Sequence, residues 1–143
     1  MTSSSLSLGV FHLVRTALVR LIPALAWMGL IFSLSARSTL PQTPGLTADA
    51  QAVAGHFGAY GVLAILLWWA LGMADLPPGR RLALAFAGAM AYGVSDEFHQ
   101  SFVPGRDASV LDLAVDAMGA AIALGVLTVG LRWLARRRGG GCG

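Results

Sequence analysis

Residues 93–116 read GVSDEFHQSFVPGRDASVLDLAVD and hold five of the chain's seven acidic side chains: Asp96, Glu97, Asp107, Asp112 and Asp116. A His, a Gln and an Arg stand among them. The remainder is strongly apolar. Of 143 residues, 56% are hydrophobic and only 12% charged, and the mean hydropathy is +0.69. Soluble domains carry about 25% charged residues, so this composition points to a membrane. A charged stretch inside such a chain either interrupts it as a loop or lines a site within it.

Outward from that stretch lie four apolar segments: Leu21 to Ala36, His56 to Ala74, Leu82 to Ser95 and Leu113 to Leu131. A membrane helix needs roughly 20 residues to cross a hydrocarbon core about 30 Å thick. The third segment meets that length only if it continues through SDEFHQ. The segment STLPQTPGLTAD reads as a polar loop with Thr47 as N-cap of the second helix, and the prolines of ADLPPGRR are suited to opening the third. SFVPGRDAS breaks the chain at Pro104–Gly105, and Ser109 with Asp112 has the spacing of a capping box opening the fourth helix.

The formal charge of +3 does not indicate nucleic acid, because the basic residues form no long patch. Arg15, Arg20, Arg80, Arg81, Arg132 and Arg136–Arg138 instead flank apolar segments, as cytoplasmic anchors do. The reading is an all-α, integral membrane four-helix bundle with short loops and both termini cytoplasmic. It comprises a cytoplasmic segment over 1–17, a four-span domain over 18–134 and a basic, Gly-rich flexible tail over 135–143. A cleavable signal peptide in the first segment is the alternative. It would leave an odd number of spans and put the two basic ends on opposite sides. The single Cys142 forms no intrachain disulfide.

Depth follows from counting at about 1.5 Å per residue from each cytoplasmic anchor. Asp96 then lies about 21 Å up helix three, Asp116 about 24 Å up helix four, His56 about 28 Å up helix two and Ser35 about 22 Å up helix one. All four helices bring polar groups to one slab near the outer interface. On helix three, Tyr92, Asp96, His99 and Gln100 share a face, and on helix four Asp112 and Asp116 do. Charges facing lipid are costly, so these faces should turn inward.

Each residue also has a plainer role. Asp112 alone is a helix cap, His56 alone an interfacial histidine, and Trp68, Trp69 and Trp133 an aromatic belt. Together they suggest chemistry. A carboxylate can orient an imidazole as general base or nucleophile, and the guanidinium fork suits phosphate. His56, Asp96, Glu97, His99 and Asp112 are the candidate catalytic residues. Arg106, Gln100, Tyr60, Ser35 and Asp116 are the candidate substrate-binding residues. No cofactor is required. A divalent cation on His56, Asp96, Glu97, His99 and Asp116 is compatible with the donor set, though no HExxH motif supports it.

The stretch SDEFHQSFVPGRDASVLDLAVDAMGA resembles the signature of VanZ-like membrane proteins: an acidic pair, Glu-x-x-Gln, Val-Pro-Gly-Arg, then Asp and a later Gly. His56-Phe57-x-x-Tyr60-x-x-Leu63 and Ser35 match as well, and the likeness covers roughly residues 20 to 131. Asp116 stands where the family often has Asn, and Val53-Ala54-Gly55 where a basic residue often precedes the helix-two His. The resemblance implies a role at the cell envelope, and the arginine distribution places the chain as a multi-pass protein of the cytoplasmic membrane with its polar site on the extracytoplasmic side. The founding member is associated with teicoplanin resistance, and VanZ-like domains have been grouped with enzymes acting on lipid headgroups, such as phosphatidylserine synthases. The expected partners are membrane lipids or lipid-linked envelope precursors, not nucleic acid. The expected activity is that of a lipid headgroup hydrolase or transferase, with effects on glycopeptide susceptibility. The alternative is a non-enzymatic protein that masks an envelope target or assembles with a partner.

Overall fold

The computed structural model describes residues 3–39, 41–106 and 108–139, with side chains from Arg15 onward except that of Ala17. Asp107 and Cys142 lie outside the described residues, as does the side chain of His12. Four helices make up the fold: α1 (Ser3–Ser35), α2 (Ala48–Ala70), α3 (Pro78–Gln100) and α4 (Val110–Gly139), with a 3-10 turn at Leu71–Met73. No strand occurs among the described residues. Three helical stretches are long and apolar enough to cross a membrane: Leu18–Ser35, Ala48–Met73 and Val110–Gly139.

Helix α3 is set apart by charge, not by length. Its 23 residues span about 35 Å, but Arg80 and Arg81 at one end and Asp96 and Glu97 at the other lower its hydropathy. It continues through SDEFHQ to Gln100, as the length argument requires. Pro78 opens it, where a missing N–H costs nothing. Thr47 caps α2 by accepting from the Ala50 amide at 3.2 Å. All four helices outrun their apolar segments at one end or both: α1 begins at Ser3, α2 at Ala48, α3 at Pro78, and α4 carries Arg136–Arg138 in its last turns.

The bundle is inverted relative to a soluble domain. Leu25, Phe32, Val94, Phe98, Val126 and Val129 are exposed, whereas Ser35, Asp96, Glu97, Gln100 and Asp116 are buried. Water would favour the opposite arrangement, and lipid favours this one. Small residues bring the helices together, Ala64, Ala85, Ala89 and Ala120 all being fully enclosed. The closest approach joins α2 to α4. A Cβ on Gly119 would collide with the backbone carbonyl of Phe57, and one on Gly61 would stand 3.2 Å from the carbonyl oxygen of Gly119. Helix α1 is tied in by side chains: Trp27 Nε1 donates to the Ala59 carbonyl at 2.9 Å, and the Met28 carbonyl accepts from Tyr92 at 2.6 Å.

Candidate functional site

Asp96 is the hub of the buried polar groups. Its Oδ2 accepts from Ser35 Oγ at 2.9 Å, from Tyr60 Oη at 3.3 Å and from Gln100 Nε2 at 3.1 Å. One carboxylate oxygen therefore links α1, α2 and α3 at a single depth. Its other oxygen, Oδ1, has no hydrogen-bond partner among the described residues.

A second centre pairs α2 with α4. His56 Nδ1 lies 3.0 Å from Asp116 Oδ1, with Asp116 fully buried and the His56 side chain 14% exposed. The imidazole stacks almost parallel to the Tyr60 ring one turn along, at 6.3 Å between centroids. This pair depends on the close approach at Gly119, because α4 must come within side-chain reach of α2. On the third side stands Gly93, where a Cβ would sit 3.3 Å from Asp116 Oδ2. That oxygen also lacks a partner among the described residues.

Ser109 and Glu97 divide a capping box at the start of α4, with Glu97 of α3 in the place expected of Asp112. Ser109 Oγ accepts from the backbone amides of Leu111 and Asp112, as an N-cap does. The reciprocal acceptor for the Ser109 amide is supplied by α3, through Glu97 Oε2 at 2.7 Å. In an ordinary capping box it would be the acid three residues on. Asp112 is thereby spared the second half of the capping role and lines a cleft instead. Arg106 follows Gly105, whose φ of +81° makes the turn. Its Nε donates to the Arg37 carbonyl at 3.0 Å, and its Nη2 to that of Leu34 at 3.4 Å. The guanidinium thus finishes the end of α1 as well as facing the cleft.

The cleft measures about 440 Å³ and is lined by Ser35, His56, Tyr60, Asp96, Gln100, Arg106 and Asp112, among others. Seven of the ten residues proposed from the sequence therefore meet at one opening. Asp116 and Glu97 do not line it, and His56 stands between Asp116 and the opening. His99 is apart. Its ring stacks on Phe32 of α1 at 4.3 Å. Helix phase explains the divergence. At about 100° per residue, Glu97 and His99 fan to opposite sides of the Asp96–Gln100 direction, towards α4 and α1 respectively.

The loop between α1 and α2 also contributes Ser38 and Gln42 to the rim, and the first turn of α2 contributes Asp49 and Gln51, a segment the sequence reading left as a plain connection with a helix cap. Gln51 folds this loop back, accepting from the Thr43 amide at 2.6 Å and donating to the Pro41 carbonyl at 2.8 Å. The only local signal was a density of polar residues. For metal binding, His56, Glu97 and Asp116 offer donor atoms that all lie within 4.8 Å of one another.

A family model described as VanZ/LLP1 matches residues 3–132. No curated protein matches the chain, and no solved structure does.

Proposed function

From the premise that the chain belongs to the VanZ/LLP1 family of membrane proteins, we propose that it modifies phosphate-linked lipid headgroups, or lipid-linked envelope precursors, in the outer leaflet. All four helices span the cytoplasmic membrane in this reading, with both termini and the Arg80–Arg81 turn inside. The arginine distribution supports that orientation. The cleft then opens at headgroup level on the extracytoplasmic side.

The observation that carries the reading is the convergence of His56, Asp96, Gln100, Arg106 and Asp112 on one cleft in a bundle whose exterior is apolar. Arg106 holds the phosphate, with a fork suited to its oxygens. Gln100, Tyr60 and Ser35 form the hydrogen-bonding wall, held in register by Asp96. The His56–Asp116 pair is the reactive centre, its ring fixed by a buried carboxylate. Hydrolysis would add water across the phosphoester and release the headgroup alcohol; transfer would exchange that alcohol for another.

The test is lipid analysis of cells with and without the protein, alongside purified protein in liposomes. A lipid species that changes with the wild type and not with His56→Ala supports enzymatic action. An unchanged lipidome, with both proteins accumulating equally, removes it. A second reading, a binding protein that masks an envelope target and shifts glycopeptide susceptibility, draws on one observation: Arg106 Nε and Nη2 both donate to this chain's own carbonyls. That reading expects altered teicoplanin susceptibility with an unaltered lipidome.

A further inference from the structure

We propose that His56, Glu97 and Asp116 form a binding site for one divalent transition ion of the zinc or manganese kind. Three observations converge on it. The first is placement. The three residues come from α2, α3 and α4, and their donor atoms lie within 4.8 Å of one another. The His56 Nδ1 to Asp116 Oδ1 separation of 3.0 Å is close to that of two neighbouring ligands that each stand about 2.1 Å from one ion.

The second is unused donor capacity. Asp116 Oδ2 and Glu97 Oε1 are buried and without hydrogen-bond partners among the described residues, in side chains that are themselves 0% and 8% exposed. Buried carboxylate oxygens are costly when nothing pairs with them. Here two of them belong to neighbouring acids, with Asp96 Oδ1 a third unpartnered oxygen close by in the network. A divalent cation would supply positive charge to this cluster of carboxylates; Arg106, which lines the cleft, gives its Nε and Nη2 to carbonyls at the end of α1.

The third is orientation from outside the set. The Ser109 amide holds Glu97 by Oε2 at 2.7 Å and leaves Oε1 free. Ligating carboxylates are commonly fixed in this way by an outer hydrogen bond. Gly93 keeps the backbone of α3 close beside Asp116 Oδ2 without a side chain in the way. One imidazole and two carboxylates favour a borderline ion over calcium or magnesium, which take oxygen shells. Three protein ligands leave a position open, and His56 lines the cleft through which an ion or a phosphate oxygen would arrive.

The site adjoins the cleft of the proposed headgroup chemistry, on which it rests, and shares His56 with it: Glu97 and Asp116 stand behind His56, and Asp112 is the carboxylate that faces the cleft. Ion binding is nevertheless read without any lipid, so either idea can fail while the other stands. The full chain, purified in detergent and stripped with a chelator, is equilibrated with Zn²⁺ or Mn²⁺ and its metal content and thermal unfolding are measured. The expected result is about one ion per chain with a raised unfolding temperature, and an affinity lowered at least about 10-fold in His56→Ala and Asp116→Asn. Metal content no higher than the blank, or equal affinity in folded His56→Ala, overturns the proposal. Should the variants not fold, X-ray absorption on the zinc-loaded wild type decides. One imidazole in a mixed nitrogen and oxygen shell supports the site, and a shell of oxygen alone overturns it.

Discussion

His56 and His99 stand on neighbouring helices in different surroundings. His56 meets Asp116 at 3.0 Å and lines the cleft; His99 stacks on Phe32 at the α1 face. Replacing His56 by Ala should lower headgroup turnover by about 100-fold or more. His99→Ala should change it only a few-fold, measured on purified protein in liposomes. Equal losses in the two variants would contradict the separation. Asp96 plays a third part, since its Oδ2 satisfies three donors from three helices. Asp96→Leu strands those donors and should cost about 2–4 kcal/mol of stability, seen as a lowered unfolding midpoint in detergent. Reading SDEFHQ as the top of a helix was enough to bring Asp96 and Gln100 to one face. It was not enough to separate His99 from them, because a sequence gives the spacing of side chains around a helix but not the direction in which that helix faces.

At the scale of elements, the contact between α2 and α4 governs whether His56 can reach Asp116. Gly119 and Gly125 provide a matched comparison on one helix. A Cβ at Gly119 would meet the Phe57 carbonyl, whereas one at Gly125 has nothing within 4 Å. Gly119→Ala should therefore destabilise the protein by about 1–3 kcal/mol, and Gly125→Ala should stay within about 0.5 kcal/mol of wild type. Thermal unfolding of the two side by side checks this. The divided capping box offers a second comparison. Glu97→Gln keeps an acceptor for the Ser109 amide and should preserve the start of α4, whereas Glu97→Ala removes it and should cost about 1 kcal/mol. The Ser-x-x-Asp spacing correctly marked where α4 begins. It pointed to Asp112 as the reciprocal acceptor, because the competitor from α3 becomes visible only when the two helices are packed.

For the molecule as a whole, the inverted distribution of polarity and the proposed orientation can be examined together. In a Cys142→Ser background, a cysteine replacing Thr43 in the α1–α2 loop should react with a membrane-impermeant maleimide on intact cells. One replacing Gly79, beside the Arg80–Arg81 turn, should react only after permeabilisation. Labelling of Gly79→Cys from outside would reverse the orientation and turn the cleft towards the cytoplasm.

Hydropathy, arginine placement and cap residues act over a few neighbouring positions, and by themselves they determined that the chain is helical, where α2, α3 and α4 begin, and that polar groups from all four helices reach a common level; the start of α1 at Ser3 was not among them. Tertiary structure alone decided which of those groups meet. Ser35 bonds Asp96 across 61 positions, Glu97 accepts from the Ser109 amide and does not line the cleft, and Asp116 sits behind His56 with one oxygen unpartnered among the described residues. The reason is that the rotation of each helix about its own axis is set by packing. Here it is fixed where Gly119 lets α4 close upon Phe57, and that contact leaves no local mark beyond a glycine.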